Sequence, residues 1–125
     1  MASRIRAVSG PIAIALGVVA MVGVACAADA MTMAAYFDSK KAGGADWANT
    51  EIFLAGIANG ITAANLELAS NNQKQLFCAP TIPLNFDNVN DILEKEYAAR
   101  RAIWNPASPM RDVLLVGFMK AFPCK

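Results

Sequence analysis

Few side chains in this sequence can do chemistry, and two cysteines lead them. Cys78 lies in Leu76-Phe77-Cys78-Ala79-Pro80, and Cys124 in Ala121-Phe122-Pro123-Cys124. In an oxidising compartment the pair would form a disulfide. Closing about 46 residues removes roughly 4 kcal/mol of unfolded-state entropy on the loop-closure model. The alternative is two buried free thiols. The chain has no histidine, which excludes Ser-His-Asp and Cys-His catalysis and removes the commonest transition-metal ligand. Oxidised cysteines would supply neither a nucleophile nor a zinc-binding thiolate. Asp87, Asp91 and Glu94 stand four and three apart, a spacing that would let two carboxylates work as an acid–base pair. Acids near a helix start serve the dipole more simply. Gly43-Gly44 lacks the lysine and the spacing of a phosphate loop. No enzyme activity, metal or cofactor is expected, and a binding role remains.

The disulfide requires export, and the first thirty residues argue for it. Arg4 and Arg6 form a basic region, Ile12 to Ala25 is apolar and uncharged, and Ala25-Cys26-Ala27 or Ala28-Asp29-Ala30 fits small-residue cleavage. The apolar run falls short of the ~20 residues of a membrane span. The expectation is a signal peptide over residues 1–27, its end between 27 and 30, followed by one domain over 28–125. Cleavage would remove Cys26 and leave an even pair of cysteines in the periplasm. A rival reading makes Cys26 a lipidated N-terminus, although Gly23 stands where a lipobox has a larger aliphatic residue. The whole chain carries 11 basic and 10 acidic residues, a formal net charge of +1, with no block of like charges. Nucleic acid is not an expected partner.

Helices must position these groups, since no stretch alternates as a strand would. Thr32 caps a short first helix that includes Met33, Tyr36 and Phe37 and ends by Gly43-Gly44. Asp46 reads as the N-cap of a second helix from Trp47 to Ala69, with Phe53, Ile57, Ile61 and Ala64 as its apolar face. On that helix Gly56, Gly60 and Ala64 form a small-residue stripe, expected to let another helix approach closely. Asn59, Asn65 and Glu67 argue against a membrane dimer there. Asn85 or Asp87 caps a third helix, about Phe86 to Ile103, with Val89, Ile92, Leu93, Tyr97 and Ile103 inward. Asp91, Glu94, Lys95, Arg100 and Arg101 make its solvated face, with Glu96 paired to Arg100 four residues on. Ser108 at N-cap and Pro109 at the first position open the last helix, which buries Met110, Val113, Leu114, Gly117, Phe118 and Ala121. The fold class is all-α, a bundle of three or four helices stapled by one disulfide.

Between the last two helices, Arg100, Arg101, Trp104 and Asn105 cluster at a turn. Trp and Arg are enriched at binding hot spots, so these four are the candidate partner-binding residues. The competing role for Trp104 is to close the end of the bundle, and Trp47 carries the same ambiguity.

The run Phe53-Leu54-Ala55-Gly56-Ile57-Ala58-Asn59-Gly60, the Phe77-Cys78-Ala79-Pro80 element and the terminal Phe122-Pro123-Cys124, in this order and spacing, resemble the Rap/Tai family. These are periplasmic immunity proteins of type VI secretion systems, and the resemblance spans about residues 31 to 124. It implies a compact helical protein similar to HdeA acid-stress chaperones, a Cys78–Cys124 disulfide and often a homodimer. It further implies a partner, a peptidoglycan amidase effector that the protein binds and blocks. The chain has Asn59 where members often carry an acid, and its 38–46 segment lacks a cysteine found in some relatives. The alternative function is an HdeA-like acid-stress chaperone. With no imidazole, its trigger would be carboxylates near pH 4.

Overall fold

The computed structural model describes residues 30–125. The expected signal peptide and Cys26 lie outside the described residues. Four helices make up the domain: α1 (Met33–Ala42), α2 (Gly44–Ser70), α3 (Phe86–Ala99) and α4 (Met110–Ala121). The described residues contain no strand, only an isolated bridge between Thr32 and Pro109. The protein is all-α.

Helix α1 starts as its sequence requires, with Thr32 Oγ1 accepting from the Ala35 N–H at 3.2 Å. It ends at Gly43, whose N–H donates to Ser39 O. Gly43 and Gly44 both take positive φ, 67° and 58°, a region that side chains with a Cβ rarely enter. Two such residues in a row turn the chain straight into α2. For that reason Gly43, not Asp46, is the N-cap of α2. Asp46 sits in the first turn, where its charge suits the helix dipole.

The buried face of α2 is rotated from the expected one. Thr50, Leu54, Ala58 and Asn65 are buried, whereas Phe53 and Ala64 are exposed and Ile57 and Ile61 lie half-buried. Thr50 donates to Asp46 O and accepts from Ser39 Oγ at 2.7 Å, joining α2 to α1. Asn65 clamps the loop that follows α2. Its Nδ2 donates to Phe77 O at 2.7 Å, and its Oδ1 accepts from the Leu76 N–H at 2.8 Å. We predict that Asn65→Ala costs about 2 kcal/mol by stranding these backbone groups, read as a lower urea midpoint at unchanged slope.

Helix α3 starts at its Asn85 cap, with Asn85 Oδ1 accepting from the Asn88 N–H at 2.9 Å. It ends at Ala99, four residues early. Arg100 leaves the helical region at φ −128° and ψ 48°, and its carbonyl takes the N–H groups of Ile103 and Trp104. Ile103 therefore points to solvent instead of the core. Helix α4 also differs at its start. Pro109 is the N-cap, and Ser108 Oγ instead accepts from the Asn105 N–H at 2.9 Å to shape the turn. The inner side of α4 is as expected except for Ala121, which is exposed.

Cys78 and Cys124 form the disulfide, their Cα atoms 4.9 Å apart. The phenylalanines beside them explain the motif. Phe77 and Phe122 both meet Phe118 of α4 edge-on, at 5.4 and 5.9 Å between ring centroids. The Cys78 N–H also donates to Phe122 O. Loop and C-terminus are thus joined by aromatic packing and a backbone hydrogen bond as well as by the crosslink.

The glycine that admits a neighbouring helix is Gly117. A Cβ there would lie 2.8 Å from Ile92 Cγ2 and 3.3 Å from Ile92 O, whereas one at Gly56 or Gly60 would meet nothing within 4 Å. Among the described residues no helix packs on the Gly56–Gly60 stripe, and the close approach expected there is found at Gly117 instead. Gly117→Ala should lose about 1–2 kcal/mol, overpacking outweighing the gain of about 1 kcal/mol in helix propensity. Gly56→Ala should gain up to about 1 kcal/mol in the monomer. Thermal melts of the two variants should move in opposite directions.

Candidate functional site

Two of the four candidate binding residues, Arg100 and Trp104, meet at a buried carboxylate. Glu96 is on the inner side of α3, its side chain only 3% exposed. Its Oε1 accepts from Trp104 Nε1 at 2.9 Å and from Arg100 Nη1 at 3.4 Å. Its Oε2 takes Lys120 of α4 at 2.8 Å. Burial pushes the Glu96 carboxyl up, but the Lys120 and Trp104 hydrogen bonds, with the Lys120 and Arg100 charges, hold it below the ordinary glutamate value. This one side chain ties together the end of α3, the following turn and α4.

Trp104 and Arg100 therefore direct their polar atoms inward, and Trp104 closes the end of the bundle against the core. Arg101 lays its guanidinium over the Tyr97 ring, 4.2 Å from the centroid, in the range of a cation–π contact. Asn105 shapes the turn, its Oδ1 accepting from the Ala107 N–H at 2.8 Å. Sequence spacing finds the Glu96–Arg100 pair. It misses that Glu96 is buried, because Trp104 and Lys120 reach it from eight and more residues away.

A second polar node joins α3 to α1. The Tyr36 hydroxyl lies against Asn90 Oδ1 and donates to Glu94 Oε1, which also pairs with Lys40. Burial, then the hydrogen bond and charge of Glu94, raises the Tyr36 hydroxyl well above its ordinary value. Burial pushes Glu94 up as well, yet the Lys40 and Tyr36 hydrogen bonds bring its carboxyl below the ordinary value. Glu94 and Arg100 were expected on a solvated face; both are half-buried. Trp47 lies beside this node, edge-on to Tyr36 and Phe86 at 5.5 and 5.7 Å.

Three of the four acids of α3 pair with cations, Asp91 with Lys95, Glu94 with Lys40, and Glu96 with Arg100 and Lys120, while Asp87 is exposed in the first turn, where its charge suits the helix dipole. Among the described residues, no three metal-ligating side chains gather. The polar chemistry holds helices together. No family model, curated protein or solved structure matches the chain.

Two surface features stand out among the described residues. The first is the outer face of α2, where Ile52, Phe53 and Leu66 are 73, 44 and 61% exposed beside Gly56, Gly60 and Ala63. By length and composition α2 is apolar enough to cross a membrane. Its buried Thr50 and Asn65 nevertheless bond to the rest of the domain, so one narrow side of α2 packs on the domain and most of its surface is uncovered. The second feature is a groove of about 290 Å³ between α3 and α4.

Proposed function

We propose that the protein is a periplasmic immunity protein that binds and occludes a type VI-secreted peptidoglycan amidase. The motifs around Gly56, Cys78 and Cys124 support this reading through their resemblance to the Rap/Tai family. The structural observation that supports it most is the outer face of α2. Apolar surface grouped on one rigid element is a mark of protein contact. Occlusion needs only a complementary surface, and the helices and disulfide hold this one in shape. The same resemblance implies a homodimer, and Gly56 and Gly60 would let a second copy approach α2 closely.

The test is an affinity capture from periplasmic and secreted proteins, using the exported chain as bait. Recovery of an amidase whose activity is blocked in the complex supports the proposal. Ile52→Glu should then weaken capture without unfolding the protein, because the position is exposed. Capture of no amidase, or of one that stays active, overturns the reading.

A second reading, an HdeA-like acid-stress chaperone, draws on Glu94 and Glu96. Protonating them would remove the links from α3 to α1 and α4 together. Exposure of dye-binding apolar surface at pH 2 to 4, with capture of unrelated proteins only there, would favour it. Unchanged helix content and no dye binding in that range would eliminate it.

A further inference from the structure

The uncovered face of α2 lies opposite the residues that the helix buries. At 3.6 residues per turn, Gly56, Gly60 and Ala63 point away from Leu54, Ala58 and Asn65, and all three are exposed. Ile52 and Leu66 border them on one edge and Phe53 on the other. A Cβ at Gly56 or Gly60 would meet nothing within 4 Å, so the middle of the face is a shallow trough between larger side chains. From Ile52 to Leu66 the helix carries no charge, and over its whole length it has no lysine or arginine. An anionic lipid surface would find no cation there.

The face is complementary to itself in one direction only. Two α2 helices can run antiparallel about a two-fold axis midway between Gly56 and Gly60. Gly56 then meets the partner's Gly60, Ile52 lies over the partner's Ala63, and Phe53 over the partner's Ala64. Each bulky side chain faces a small one. Asn49 comes level with the partner's Glu67, whose Oε1 accepts from Asn71 in its own chain and whose Oε2 can take the Asn49 amide. A parallel pair would instead set Ile52 against Phe53 and Glu67 against Glu67, bulk on bulk and like charge on like charge.

We propose that a second copy of this chain covers α2 in the antiparallel register, and that the pair keeps the face shut until the effector displaces it. Only the displacement rests on the immunity reading. One helix face per copy stands at the small end of the ~1,200–2,000 Å² of stable interfaces. The pair is therefore weak, and a partner that binds the open face draws it apart by mass action.

Sedimentation equilibrium of the exported chain should show monomer giving way to dimer between about 1 µM and 1 mM. Gly56→Leu fills the trough from an exposed position and should stay monomeric throughout, with unchanged circular dichroism. Orientation is read by crosslinking with a short bismaleimide, since Cys78 and Cys124 are already bonded to each other. Asn49→Cys combined with Glu67→Cys should give a covalent dimer. Either single variant should not, because its two thiols would lie about 27 Å apart along the helices. A monomer at every concentration, binding to lipid vesicles in place of pairing, a Gly56→Leu chain that still pairs, or crosslinking of a single variant would overturn the pairing. The linked dimer should then capture no amidase, whereas the same variant left unlinked should. Capture by the linked dimer would overturn the displacement. Capture by neither would overturn the immunity reading and the displacement with it, and leave the pairing standing.

Discussion

Cys124→Ser, or reduction of the wild-type chain, is expected to lower stability by about 4 kcal/mol, the largest single loss available in this fold. The reasoning starts from the unfolded state. The disulfide spans 46 residues, a loop that covers the 79–85 segment, α3, the turn and α4. Opening it returns that entropy to the unfolded chain while the folded contacts stay in place. Phe77 and Phe122 still meet Phe118, and Asn65 still holds Phe77. The reduced protein should therefore keep its helical spectrum at low temperature and melt on the order of 15–30 °C lower. Cys78→Ser should match Cys124→Ser, and the double variant should lose no more than either single one, since one bond is lost in each case. A melting temperature within a few degrees of wild type after verified reduction would mean that the aromatic packing alone fixes the C-terminus. Complete loss of helix would mean that the crosslink is needed to form the packing at all. A domain of this size has about 5–15 kcal/mol in total, so the predicted loss leaves a folded but marginal protein.

The parts legible in the sequence are those governed by local chemistry. Thr32 and Asn85 are caps because their side chains reach a backbone N–H three residues on, and that geometry needs nothing from the rest of the chain. Gly43-Gly44 is a break for an equally local reason. The disulfide was legible only through the expectation of export, which would leave Cys78 and Cys124 as a pair. Helix α2 shows where this reasoning stops. Ile52, Phe53, Leu54, Ile57, Ile61 and Leu66 run nearly around it, so periodicity does not single out an inner face. What fixes its rotation is polar: Thr50 meets Ser39, and Asn65 meets the backbone of Leu76 and Phe77. Neither partner can be identified from spacing. The small-residue stripe misled for a related reason, since Gly117 and not Gly56 is the helical glycine at which two described helices touch. Around Glu96 the sequence supplied the near neighbour, Arg100, and missed Trp104 and Lys120, which convert a surface pair into a buried junction. Of the residues proposed for a partner, Arg100 and Trp104 also spend polar atoms on Glu96, whereas Arg101 and Asn105 stay exposed.

Glu96→Ala should be the second large loss, about 3 kcal/mol. Removing one member of a buried ion pair typically costs about 3–5 kcal/mol because the partner charges stay behind. The low end applies, since Arg100 and Lys120 keep contact with water. Trp104 Nε1 also loses its acceptor, so tryptophan fluorescence should report a loosened turn before the helices melt. Glu96→Gln keeps an acceptor for Trp104 and should lose roughly half as much. Acid should reproduce part of this effect in the wild type. Glu94 and Glu96 both have carboxyls held below the ordinary value of 4.5. Their contribution is fully present above the unfolded value and is lost as pH falls below it through the depressed folded values. Tyr36 acts at the other end of the scale. Its hydroxyl is raised above 10.0, so the stability it lends is complete below that pH and lost as pH rises through the folded value. The expected profile is a plateau from about pH 5 to pH 10, with a fall on either side. In Glu96→Gln the acid fall should be shallower, because one of the two groups no longer titrates. An acid limb identical to wild type in that variant would show that Glu96 is not a source of the pH dependence, and would leave Glu94 and its links to Tyr36 and Lys40 to account for it.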